Sequence, residues 1–145
     1  MEGTRHQTES KSTFLMMKNT LLTALAIFVL GNLCRFGLPW WCLAPLALLV
    51  GWYFTRNAWA AFFGGFLGGF LLWYATAWLS DLSNGGMLSA KVGQLFMGVQ
   101  GWQLLLVTGI LGGLLTALGA LTGRWAKEML VAPSKKRNYL QEKRR

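Results

Sequence analysis

The chain has 145 residues, 54% of them hydrophobic, a mean hydropathy of +0.40 and a formal net charge of +9. Its apolar residues come in continuous runs and its charges gather toward the ends, which excludes an ordinary soluble domain with a polar surface around one core. A membrane β-barrel is excluded as well, because its strands would alternate apolar and polar residues.

The N-terminal stretch MEGTRHQTESKSTFL is polar, unlike the apolar chain after it. Residues 1–17 are expected to be a disordered arm, or to precede a true start at Met16 or Met17. A helix crossing about 30 Å of hydrocarbon needs about 20 apolar residues, and the chain offers four candidate runs. The first is 19–38. It is read as a retained helix, since no small-x-small cleavage site closes it and bulky Leu33 stands before Cys34 where a lipoprotein cysteine would follow a small residue. Cys34 and Cys42 flank the hairpin RFGLPWW; their spacing permits a disulfide in an oxidising periplasm and equally permits buried apolar thiols. The second run, 41–55, is shorter than the norm and bracketed by Trp40, Trp41, Trp52 and Tyr53, rings that favour the headgroup level.

The third run is 58–79. After it, Asn84, Gly85 and Gly86 mark a turn, and Leu88, Val92, Leu95, Phe96 and Val99 then recur at helical spacing, which predicts an interfacial helix over 87–99 on the outer leaflet. Such a helix either caps the bundle or forms a lid over a path. The fourth run is 102–123, and 125–145 is a basic tail. The expected fold is therefore all-α: a polytopic membrane protein whose residues 18–124 form a four-helix transmembrane bundle with one short periplasmic interfacial helix.

If the runs alternate in direction, Arg5, Lys11, Lys18, Arg56, Arg124, Lys127, Lys135, Lys136, Arg137, Lys143, Arg144 and Arg145 fall on one side, and only Arg35 and Lys91 on the other. The positive-inside rule then places both termini in the cytoplasm, which requires an even number of spans. The basic tail reads as topology plus attraction to anionic lipid of the bilayer, and nucleic acid is the disfavoured partner.

The segment AFFGGFLGGFLLWYATAW, Ala61 to Trp78, carries four glycines where a helix must run. Membrane helices associate by close packing, which small residues permit. Gly64 and Gly68 are four apart, as are Gly65 and Gly69, giving one expected ridge; Gly109 with Gly113, and Gly112 with Thr116 and Ala120, repeat the device in the fourth run. The third and fourth helices are expected to pack on each other, with a homo-oligomer or a membrane protein partner as the alternative use of a ridge.

Catalytic, cofactor and metal sites have no candidate residues. His6 is the only histidine, so neither a metal cluster nor a histidine-based triad can be assembled from it. The four runs contain no carboxylate, whereas proton-coupled transport ordinarily keeps an ionisable group near mid-membrane. Asn32 and Arg35 near the end of the first run and Asp81 just past the third form a candidate outer-face polar cluster, either a structural Arg35–Asp81 clasp or a binding site.

The hairpin GLPWW, the segments AFFGGFLGGFLLW and LSAKVGQLF, and the closing TGILGGLLTALGALTG together resemble a family of small, uncharacterised bacterial inner-membrane proteins. The resemblance covers about Met17 to Arg124 and implies a four-helix fold in the bacterial inner membrane, with no activity or ligand attached. The chain departs from the small multidrug exporters, which carry a glutamate in the first helix, and from the filter segments of the fluoride channels. The expected function is a non-enzymatic membrane bundle acting as a self-associating scaffold or small subunit. A small transporter or channel with a path along helices three and four is the alternative. Reporter fusions after Arg56 and Arg145 are expected to report the cytoplasm and a fusion near Asn84 the far side; an external C-terminus would refute this topology.

Overall fold

The computed structural model describes the backbone of residues 3–34, 39–55 and 57–142, and the side chains of 13–33, 39, 41–55 and 57–131. Arg35 and Arg56, and the side chains of His6, Cys34 and the basic residues beyond Val131, lie outside the described residues. Helix α1 spans Gly3–Cys34, a single 3-10 turn Trp40–Cys42, α2 Leu43–Phe54, α3 Ala58–Ser83, α4 Met87–Leu95 and α5 Gly101–Glu142. No strand occurs among the described residues.

The pairing of small residues fixes the direction of each helix. Gly64 meets Thr20 and Thr23, Gly68 meets Ala24 and Ile27, and Gly31 meets Leu72, so α1 and α3 run parallel. Gly65 meets Ala117, Gly69 meets Gly112, and Gly109 meets Phe70 and Tyr74, so α5 runs against α3. Helix α2 follows α5: Ala44 and Ala47 lie against Gly119, Leu48 against Gly123, and Trp52 against Lys127. The chain therefore goes up, down, up and down, and the starts of α1 and α3 share one end of the bundle with the later part of α5. Around the bundle the order is α1, α3, α5, α2, with the α3–α5 face the most extensive. Ile27, Val50, Ala61 and Ala120 close the centre at 0–3% exposure.

Three helices, not four, are long and apolar enough to cross a membrane: Thr13–Leu33 within α1, α3, and Gly101–Val131 within α5. The run 41–55 expected to be a fourth span supplies only the 12 residues of α2, about 18 Å at 1.5 Å per residue. Its start is delayed by the 3-10 turn, in which the Cys42 amide donates to the Pro39 carbonyl. Pro45 sits in the first turn of α2, where no intrahelical N–H is required. At the other end Thr55 leaves the helix in an extended conformation and turns its hydroxyl onto the Gly51 carbonyl.

Four further boundaries differ from expectation. The polar N-terminal stretch continues α1 back to Gly3, α3 runs past 79 to Ser83, and α5 continues from the last apolar run through the basic segment to Glu142. The interfacial helix stops at Leu95 rather than 99, because Met97 and Gly98 take positive φ angles of 60° and 87°. The Gly98 amide then donates to the Gly93 carbonyl at 3.0 Å, which closes the helix end. Gly85 and Gly86, with φ of 62° and 72°, turn the chain from α3 into α4, a conformation that glycine adopts without steric cost.

A Cβ on Gly68 would lie 2.6 Å from the Ala24 carbonyl oxygen, a backbone atom that a side-chain rotation cannot relieve. Gly68→Leu is therefore expected to destabilise the bundle by about 1–3 kcal/mol, while Leu71→Ile, on an exposed face of the same helix, is expected to leave the detergent melting temperature unchanged. Equal melting of Gly68→Leu and the parent would remove the packing argument.

Candidate functional site

The glycines of α3 form two rows rather than the one ridge expected from their spacing. Gly64 and Gly68 face α1, whereas Gly65 and Gly69 face α5. A helix advances 100° per residue, so paired glycines at adjacent positions open two neighbouring faces at once. Helix α3 thus sits between its two partners with its backbone close to both. A Cβ on Gly65 would stand 2.9 Å from the Thr116 carbonyl oxygen, and one on Gly64 2.8 Å from that of Thr20.

The glycines of α5 serve a different purpose. Gly113 receives the ring of Phe66, Gly109 the ring of Phe70 and the Cβ of Tyr74, and Gly112 the ring of Trp73. Phe66, Phe70 and Tyr74 stack along α3 with centroids 6.1 and 5.8 Å apart. Gly65 and Gly69 of α3 therefore admit α5, while Gly109, Gly112 and Gly113 of α5 admit α3's aromatic side chains. Between them Thr116, fully buried, donates its hydroxyl hydrogen across the interface to the Gly65 carbonyl at 2.8 Å, with the Gly112 and Gly113 carbonyls of its own helix at 2.9 and 3.1 Å. The other two buried threonines, Thr23 and Thr55, turn onto the Asn19 and Gly51 carbonyls. A buried hydroxyl in an apolar surround is costly unless bonded, and each of these has its acceptor.

The outer polar residues are not brought together among the described residues. Asn32 donates from its amide to the Phe28 carbonyl of α1 at 3.1 Å. Asp81 stands nine residues beyond Leu72, the α3 residue that Gly31 meets, which puts it about 13 Å further along the axis. It borders a hollow of about 220 Å³ with Ser80, Asn84, Leu88 and Ser89, where Asn84 donates to the Ser80 carbonyl and Ser89 to that of Gly86. Arg35, the expected partner of Asp81, lies outside the described residues. Cys42 is a free, half-buried thiol. Among the described residues no group of three His, Cys, Asp or Glu could hold a metal ion.

Several residues at the opposite end have roles that their positions in sequence did not announce. The Lys127 ammonium donates to the Trp52 carbonyl at 2.8 Å, supplying a partner to one of the carbonyls left open at the end of α2. Arg124 Nη2 pairs with Glu128 Oε1 at 2.5 Å, and Arg124 Nε is buried with no hydrogen-bond partner. Gly51 lies directly on the Ala120 backbone; the small residues Ala44, Ala47 and Gly51, at helical spacing, were the signal for this α2–α5 contact. No family model, curated protein or solved structure matches the chain.

Lys127→Met keeps the aliphatic stem and removes the donor. The last turn of α2 is expected to exchange its amide hydrogens faster, with a loss of about 0.3–1 kcal/mol of local stability, while the exchange of α3 stays at the parental rate. Unchanged exchange in α2 would show that the Lys127 contact does not hold that helix end.

Proposed function

We propose that the chain is a non-enzymatic integral membrane scaffold, a self-associating bundle or small subunit of a membrane assembly, rather than a conduit for a solute. The observation that carries this reading is the closed centre of the bundle, where Ile27, Val50, Ala61 and Ala120 pack at 0–3% exposure. A path along α3 and α5 would have to use their glycine-lined seam, and that seam is filled by Phe66, Phe70 and Trp73. The seam's buried hydroxyl, Thr116, is turned onto carbonyl groups, leaving it little capacity to replace the hydration of a solute.

Surfaces for a partner lie on the outside. A groove of about 540 Å³ between α1 and α3 is walled by Leu21, Leu25, Phe28, Leu67, Leu71 and Trp78, and it is continuous with a second through Leu21 and Leu67. Since the small-residue rows face inward, association would engage these large apolar side chains. In this reading α2 and the 3-10 turn before it, together about 24 Å, complete a fourth crossing with tryptophans near both ends. Both chain ends then lie in the cytoplasm of a bacterial inner membrane.

Liposomes containing the purified protein, and pull-downs in mild detergent, test the assignment. Arg35→Gln and Asp81→Asn are expected to leave partner capture and cellular role intact, whereas Gly65→Leu with Gly113→Leu is expected to abolish both. Specific solute flux by the protein alone, lost in Asp81→Asn, would replace the scaffold with a transporter.

A further inference from the structure

We infer that the turn Leu95, Phe96, Met97 is a lipid anchor: a rigid apolar elbow that enters the bilayer leaflet at the end where α3 passes into α4, at the level where acyl chains meet headgroups. The interfacial helix expected over 87–99 would lay a helical face on the membrane; the contact belongs instead to the non-helical turn that ends α4. This inference is independent of the scaffold reading, and its failure would leave that reading standing.

The placement of α4 brings this turn to lipid rather than to water. Leu88 and Val92 of α4 wall a hollow of about 220 Å³ together with Ala77, Leu104 and Leu105, and those three belong to α3 and α5, helices long and apolar enough to span. Helix α4 therefore lies beside the ends of the two spans and not above them. Gly93, in its last turn, rests directly on the Val99 carbonyl, and Ser89 borders Gly101, so one side of α4 is taken by the chain that leads into α5. Leu95 is two residues past Gly93 and about 160° around the helix from it, facing away from that contact. Trp102, 53% exposed in the first turn of α5, stands close by, and tryptophan favours the headgroup level.

The turn itself is fixed and turned outward. The Phe96 amide donates to the Val92 carbonyl at 3.2 Å and the Gly98 amide to that of Gly93 at 3.0 Å, so on both sides of Met97 the backbone is bonded within the chain, as an apolar surround demands. Met97 is the only non-glycine residue among the described residues with a positive φ, 60°, a conformation that side chains bearing a Cβ disfavour. Its side chain is fully exposed, and Leu95 and Phe96 beside it are 83% and 62% exposed. Glycine would take the same backbone without that cost, and Met97 gains no packing within the chain, so the methionine acts on what lies outside it. Three consecutive apolar side chains held out in this way suit the acyl boundary. Lys91, exposed and four residues before Leu95 on the same side of α4, can extend its ammonium to lipid phosphate from there.

The test is spin-label accessibility of the full chain in phospholipid vesicles. In a Cys34→Ser, Cys42→Ser background, one nitroxide is attached through Leu95→Cys or Met97→Cys, with Leu111→Cys in the middle of the α5 span as the hydrocarbon reference. Ser83→Cys, six residues and about 9 Å beyond Ala77 along α3, is the water reference. At Leu95→Cys and Met97→Cys, collision with oxygen is expected to exceed collision with a water-soluble nickel complex, as at Leu111→Cys, and the order is expected to reverse at Ser83→Cys. Adding Met97→Asp is expected to raise nickel access at Leu95→Cys. If the cysteine-free background does not give the parental circular dichroism spectrum, the native chain decides: Met97 is expected to resist oxidation by hydroxyl radicals generated in the water around the vesicles, although no part of the protein covers it. Nickel access at Met97→Cys equal to that at Ser83→Cys, or oxidation of Met97 as fast as that of a free methionine peptide, would put the turn in water. Low access to both reagents would mark cover by protein, a second copy included. Each of these results would overturn the anchor.

Discussion

The contact on which the rest of the bundle depends is the approach of α3's backbone to the backbones of α1 and α5. In hydrocarbon, burying one more apolar side chain gains little, because lipid already solvates it; dispersion between closely packed atoms and interhelical hydrogen bonds are what remain. Both require the helix axes to come near each other. Gly64 and Gly68 open that distance to α1, and Gly65 and Gly69 open it to α5. The hydrogen bond from Thr116 to the Gly65 carbonyl is a consequence: a short side chain reaches a neighbouring helix only when no Cβ stands between them.

A helix built this way has a second requirement. Glycine removes volume, and an unfilled void forfeits the contacts that close packing was meant to gain. The sequence meets this by placing Phe66, Phe70 and Tyr74 on α3 one turn apart, with Trp73 beside them, each against a glycine of α5. Small residues on one helix and large ones on the other thus alternate within a single interface. The same interlocking fills the space that the glycines of α5 open beside α3.

Much of this was legible in the sequence, and the limits have physical reasons. Continuous apolar runs identified the membrane class and α1, α3 and α5, because hydropathy integrates over a whole helix. The four-residue glycine spacing identified close packing, but spacing within one helix carries no information about which neighbour each row meets. The run 41–55 shows a related limit: apolar composition is the same for one continuous helix and for a 12-residue helix with a 3-10 turn before it, and the local break at Pro39 to Cys42 distinguishes them. Lys127 illustrates the remaining class. Its positive charge entered the sequence reading only as one of twelve on one side, while its bond to the Trp52 carbonyl, 75 residues distant, exists only once α2 lies beside α5.

The two ends of the bundle differ in kind. At the end where α3 passes into α4 the chain turns tightly through Gly85, Gly86 and Gly98, and Asn84 and Ser89 bond to nearby carbonyls, so polar groups there are largely consumed by the turns themselves. At the other end α1 and α5 continue beyond the apolar core without a break, and Arg124 and Lys127 stand where α3 starts and α2 ends. A cation at that level supplies hydrogen-bond donors for open helix-end carbonyls. Lys127 does this at the Trp52 carbonyl, whereas Arg124 pairs within its own helix with Glu128. Contact between helices and contact within one helix are in this way divided between neighbouring residues of one helical turn, so a substitution at one can be read separately from a substitution at the other.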